Sequence, residues 1–152
     1  MELLDHLKRL TAALIAERIP FALCGGLALA VHEVPRATLD IDLLIEAELL
    51  ERVKAVAREL GFTIDSGRLQ FRDGRIQIYR LGYPDKVLGD VVPLDLLLVT
   101  PEIAEVWRSR ETVVWEGGEL PVVSREGLIK LKAIRASRQD LEDIERLRGE
   151  AT

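Results

Sequence analysis

The run Phe21-Ala22-Leu23-Cys24-Gly25-Gly26-Leu27-Ala28, followed by Leu39-Asp40-Ile41-Asp42-Leu43-Leu44-Ile45, decides how this chain is read. Phe21 to Cys24 is a short apolar stretch stopped by two glycines, the pattern of a buried strand entering a tight turn. Leu27 to His32 then reads as a short apolar helix. Residues Leu39 to Ile45 predict a second strand, with Asp40 and Asp42 on one face and Leu39, Ile41 and Leu43 on the other. Two carboxylates so close repel each other unless a cation lies between them. Hard divalent ions with oxygen ligands, Mg²⁺ or Mn²⁺, suit that position.

Upstream, Glu2 to Arg18 carries Leu3, Leu4, Leu7, Leu10, Leu14 and Ile15 at helical spacing, and Pro20 follows its end. Downstream, Ala47 to Leu60 is a helix stopped by Gly61. Leu69 to Tyr79 reads as a hairpin turning at Asp73-Gly74, a dipeptide suited to a type I′ turn. Val91 to Val99 is a strand and Glu102 to Arg108 a short helix. A second hairpin joins Thr112–Trp115 to Leu120–Val123 across Gly117-Gly118. Two helices, Arg125 to Arg135 and Arg138 to Arg148, close the chain, with Ser137 and Asp140 placed to cap the last. Helices and strands interleave, so the fold class is α/β (α+β), a small mixed sheet flanked by helices with a C-terminal helical pair. We expect one domain over 1–152, its core at about 1–100 and its C-terminal hairpin and helices at about 101–152.

A third acid, Asp95, sits in the otherwise apolar run Leu94-Asp95-Leu96-Leu97-Leu98-Val99. An ionised carboxylate there is costly unless it is paired or bound to metal. If its strand lies beside that of Asp40 and Asp42, three carboxylates converge; the other explanation is a pair with an arginine from a basic stretch. The Gly25-Gly26 turn opens a helix, so its backbone amides face outward where an anion can approach closely. A phosphate cradle beside metal-binding carboxylates implies a metal-bound nucleoside triphosphate. A Gly-Gly pair alone is a weak signal; followed after fourteen positions by Asp-x-Asp, and later by a lone acid in an apolar strand, it is a strong one.

Composition sets the outer bounds. The 152 residues carry 21 Lys plus Arg against 26 Asp plus Glu, a net charge of −5, which disfavours coating of bulk DNA. The total conceals basic stretches at Arg68–Arg80 and Arg125–Arg138, and an acidic one from Asp40 to Glu51. One cysteine and two histidines exclude an internal disulfide and a Cys/His zinc site. The longest uncharged stretch, Ile19 to Val31, is broken by Pro20, Gly25 and Gly26 and is too short to span a membrane. With no secretory signal pattern, the expected location is the cytoplasm, with no membrane partner.

The residues Phe21 to Ala28, with Arg36-Ala37-Thr38-Leu39-Asp40-Ile41-Asp42, resemble the nucleotidyltransferase superfamily of the polymerase-β type. They are similar in particular to its AbiEii-like group, which includes toxins of toxin–antitoxin systems. The stretches Gly127 to Lys132 and Asp140 to Ile144 resemble that group's closing motif. The resemblance implies that Gly25 and Gly26 bind the triphosphate and that Asp40, Asp42 and Asp95 bind metal, as a two-metal site of Mg²⁺ or Mn²⁺. It also implies that Lys132, with Lys130 as a competitor, neutralises phosphate charge. Arg36 and Thr38 either touch nucleotide or fix the loop before the strand. Asp140 reads as a cap, Asp143 as a partner for Lys132, and Cys24 and His32 as packing residues. The implied reaction moves a nucleoside monophosphate from a nucleoside triphosphate to an acceptor hydroxyl, with Asp95 helping to deprotonate the acceptor. RNA, protein and small molecules are the acceptor classes, and an antitoxin is the implied partner. The alternative is a catalytically silent copy of the fold that binds nucleotide, RNA or a partner protein.

Overall fold

A computed structural model describes residues 2–35, 37–86, 89–116 and 118–149. In chain order its elements are α1 (Leu3–Ala16), β1 (Ala22–Cys24), α2 (Gly25–Val31), β2 (Ile41–Ile45), α3 (Leu50–Glu59), β3 (Ile64–Phe71) and β4 (Ile76–Asp85), then β5 (Asp90–Leu98), α4 (Ala104–Arg108), β6 (Glu111–Trp115), β7 (Gly118–Val122), α5 (Arg125–Arg135) and α6 (Arg138–Arg148). Single 3-10 turns at Ala47–Leu49 and Pro101–Ile103 lead into α3 and α4, so each expected helix starts with a tighter turn. The strands form one mixed sheet in the order β3-β4-β5-β2-β1-β7-β6.

The centre of the sheet is its most apolar part. β2 and β5 pair in parallel, with Asp42 opposite Asp95 and Leu43 opposite Leu96. Ile41, Leu43, Ile45, Leu94 and Leu96 are all fully buried. Parallel strands need cover on both faces, which is why these two read as near-continuous apolar runs. Each such side chain contributes roughly 1.5–3 kcal/mol by leaving water. The two faces of the sheet can be told apart on β4. Tyr79 and Tyr83 meet Lys54 of α3 and His6 of α1, whereas Ile76 and Ile78 share a cleft with Leu128 and Leu131 of α5. Alternation along the strand therefore puts α1 and α3 on one face and α5 on the other.

The C-terminal helices end where the sequence predicts, and Ser137 and Asp140 form a reciprocal capping box at the start of α6. The first hairpin is longer than expected, with strands Ile64–Phe71 and Ile76–Asp85. Its turn is as expected: Asp73 and Gly74 have φ of 56° and 82°, and the Arg75 amide donates to the Arg72 carbonyl at 3.1 Å. β3 lies at the sheet edge and is almost wholly exposed, so it carries none of the apolar alternation that marks a strand. Gly117 of the second turn lies outside the described residues.

One expectation is corrected. The strand carrying the paired acids begins at Ile41, so Asp40 precedes it, and Leu39 is 81% exposed instead of joining the core. The ladders explain this: pairing with β5 starts at Ile41 and pairing with β1 reaches only to Asp42. Beyond them no neighbouring strand covers Leu39.

Candidate active site

The in-register pairing of Asp42 with Asp95 sets the two carboxylates side by side on the face that α5 covers. Asp40, just before the strand, turns to the same point. One carboxylate oxygen from each of Asp40, Asp42 and Asp95 lies within 4.8 Å of the others. Gly25 makes this arrangement possible. It holds φ of 68°, and a Cβ built on it would lie 2.2 Å from Asp42 Oδ2. A side chain there would enter the space that the carboxylate occupies. Burial, then repulsion from Asp40 and Asp95, pushes the Asp42 carboxyl up from 3.8 to about 7, only partly offset by Arg135 and Lys132. Three oxygen donors whose negative charges raise one another's cost form a donor set that fits a hard divalent cation.

Asp95 lies both in the acid cluster and beside an arginine. It accepts a two-pronged contact from Arg80, Nε to Oδ1 at 2.7 Å and Nη2 to Oδ2 at 2.9 Å. Such fork-to-carboxylate pairs fix orientation as well as charge. Asp95 is 8% exposed and Arg80 42%, so the pair lies at the mouth of the cleft. Arg80 directly faces Asp95 across the β4–β5 ladder.

The cleft floor and walls are formed by Cys24, Gly25, Asp42, Asp95, Ile76, Ile78, Leu97, Leu128, Leu131, Lys132, Arg135 and Asp140, around a partly open space of about 60 Å³. Lys132 is buried in this wall and Lys130 is exposed, which separates the two competitors. Lys132 Nζ stands 2.8 Å from Asp143 Oδ2 and 3.6 Å from Asp140 Oδ1. Asp140 also caps α6, accepting from the Ser137 amide and hydroxyl. Gly26 packs on Thr38: an added Cβ would meet Thr38 Cβ and Oγ1 at 2.9 Å. Thr38 Oγ1 also donates to the Asp40 carbonyl at 3.4 Å, so Thr38 shapes the loop before β2. Arg36 lies outside the described residues. Cys24 is a buried wall residue, and His32 ends α2 with Nε2 2.8 Å from the Val123 carbonyl.

Arg80 and Arg135 stand out in the sequence only as members of the two basic stretches, and the apolar wall does not stand out at all. Period-2 alternation does place Arg80 on the face of Ile76 and Ile78. Nothing local, however, gives the register that brings it opposite Asp95.

Solved structures of the nucleotidyltransferase class share this fold. A Thermotoga maritima protein assigned as a nucleotidyltransferase aligns over 97% of this chain and 93% of its own at 15% identity, with a TM-score of 0.63. The lincosamide antibiotic adenylyltransferase LnuA, solved with lincomycin, aligns over 97% of each chain at 14% identity and a TM-score of 0.64. The antibiotic-resistance factor ANT(2'')-Ia aligns over 94% of this chain and 80% of its own at 16% identity and a TM-score of 0.66. Residues 8–147 match the family described as nucleotidyl transferase AbiEii toxin, type IV TA system, and the chain belongs to that family. Among curated protein sequences none matches the chain. No helix among the described residues is long and apolar enough to cross a membrane.

Proposed function

We propose that this protein transfers a nucleoside monophosphate from a nucleoside triphosphate to an acceptor hydroxyl, breaking the bond between the α- and β-phosphates and releasing pyrophosphate, with Mg²⁺ or Mn²⁺ held by Asp40, Asp42 and Asp95. The convergence of these three carboxylates beside Gly25 is the observation that carries the reading. Divalent ions there would supply charge neutralisation at the phosphates and at the attacking and leaving oxygens. The chain's own residues do the rest. Amides of Gly25 and Gly26 at the start of α2 receive the triphosphate. Lys132 and Arg135, on the opposite wall, offset its charge. Asp95, oriented by Arg80, takes the proton of the acceptor hydroxyl on a lone pair not used by the guanidinium. Positioning and fixed charge then supply most of the rate enhancement.

Family membership makes an antitoxin the expected partner and the cytoplasm the expected location. RNA, protein and small molecules remain the acceptor classes. The deciding experiment supplies each α-labelled nucleoside triphosphate, with Mg²⁺ or Mn²⁺, to total RNA, cell protein and small-molecule extracts. Label should move to one acceptor class with the native protein and not with Asp42→Asn. No transfer in any mixture, together with no metal-dependent nucleotide binding by calorimetry, would replace this reading with the catalytically silent module.

A further inference from the structure

The cleft has two walls that come from distant parts of the chain. Ile76 and Ile78 of β4 form one, and Leu128, Leu131, Lys132 and Arg135 of α5 form the other. One side chain bridges them at the outer end. Arg72, in the β3–β4 turn, donates from Nη2 to the backbone carbonyl of Arg135, the last residue of α5. A cation at the C-terminal end of a helix also meets the negative end of its dipole.

Backbone strain gathers at the same place. Five non-glycine residues among those described have positive φ: Arg18, Glu33, Arg72, Asp73 and Ala136. Three of these five flank the bridge, Arg72 and Asp73 on the hairpin side and Ala136 directly after Arg135. Such conformations cost on the order of 1–3 kcal/mol each and mark clamps and switch regions. The space between the walls, about 60 Å³, is small beside the roughly 300–1,000 Å³ of clefts that hold small molecules. The cleft is partly open at its mouth, and parting of these walls would enlarge it for a nucleotide or acceptor ring.

The geometry points to Arg72 as a positioning residue: it ties the β3–β4 tip to the end of α5, holds the cleft narrow, and releases to admit substrate. β4 pairs with β5 from Ile78 to Asp85, and Thr100 Oγ1 donates to the Arg75 carbonyl at 3.0 Å. The hairpin wall is therefore anchored, and the wall that yields is the C-terminal end of α5 at Ala136. The admission of nucleotide rests on the proposed function; the opening of the cleft does not.

The protein carries its own reporter of that opening. Cys24 is the only cysteine in the sequence, lines the cleft and is 3% exposed. The rate of its modification by N-ethylmaleimide, an uncharged reagent, reads how often the walls part. Arg72→Ala should label about tenfold faster than native, the population shift expected from losing one charge-assisted hydrogen bond. Arg72→Lys, which can still donate to the carbonyl, should stay close to native. Leu14→Ala, destabilised on the other face, calibrates labelling through global unfolding. Unchanged labelling in Arg72→Ala overturns the inference, as does an equal acceleration in Leu14→Ala, which would place labelling in the globally unfolded state. Adding a nucleoside triphosphate with Mg²⁺ to the native protein should protect Cys24. Absence of protection, with Arg72→Ala still fast, counts against the nucleotide reading and leaves the role of Arg72 standing.

Discussion

Gly25 lies so close to Asp42 that a Cβ on the glycine would stand 2.2 Å from Asp42 Oδ2 and 2.6 Å from its Cγ. The turn at the start of α2 and the carboxylate on β2 are thus one object. The glycine gives the carboxylate its place, and the ladder between β1 and β2, with Cys24 opposite Asp42, holds both. Replacing Gly25 by Ala should cost at least about 1–2 kcal/mol for the left-handed backbone alone. It should also push Asp42 out of the cluster. Titration with Mn²⁺, followed by electron paramagnetic resonance, would test this: Gly25→Ala should lose the site, and native-like Mn²⁺ affinity would show that the close approach is unimportant.

The acid cluster makes stability depend on pH in an unusual direction. Asp42 titrates at about 7 in the folded protein against 3.8 unfolded, so between these values the folded state binds more protons. Stability in the absence of metal should therefore fall as pH rises from about 4 to about 7, by no more than about 4 kcal/mol. Urea unfolding in EDTA at several pH values would measure the slope. Asp42→Asn should flatten it and be more stable than native at pH 8, while losing any stabilisation by Mg²⁺. A native protein that grows steadily more stable from pH 4 to 7 would contradict the burial and repulsion described for Asp42.

Lys132 and Asp143 form a buried ion pair within the wall of the cleft. Lys132→Met would remove the cation 2.8 Å from Asp143 Oδ2 and leave Asp140 to Arg135 at 3.8 Å, which should cost about 3–5 kcal/mol. Lys132→Met/Asp143→Leu should recover much of that loss, because burying neither charge is cheaper than burying one. Chemical denaturation of the two variants gives the comparison. If Lys132→Met unfolds at the native midpoint, the lysine is not structurally committed and is free to serve the phosphates alone.

Arg80 sits at the surface end of its pair, so Arg80→Ala should change stability by no more than about 1 kcal/mol. Its effect on transfer should be larger, because Asp95 loses the fork that orients it. A single ammonium cannot reproduce two parallel hydrogen bonds, so Arg80→Lys should restore stability but not turnover. Steady-state transfer beside thermal melts separates the two. Equal activity in Arg80→Lys and native protein would make the pair an ordinary surface contact.

How much of this was legible depends on range. The two C-terminal helices and the Asp73-Gly74 turn rest on spacing or dihedral preference within a few residues and agree with the structure, while Asp40 stands just ahead of the strand expected to carry it. β3 was not fully visible because an edge strand exposed on both faces needs no apolar alternation. Leu39 was misplaced because alternation shows where a strand could run and not where its neighbours stop.

By itself the sequence offered the chemical kind of the candidate site: an Asp-x-Asp pair and a third acid in an apolar strand, glycines where backbone can pass close, and too few Cys and His for a zinc centre. Those are properties of residue type and short spacing, which survive in a string of letters. The tertiary structure decided which acid stands opposite which, that Arg80 grips Asp95, that Lys132 and not Lys130 enters the wall, and that Arg72 reaches the end of α5. Each of these contacts joins elements far apart in the chain. Their geometry follows from sheet register and helix packing, which the whole core sets at once and no local pattern encodes.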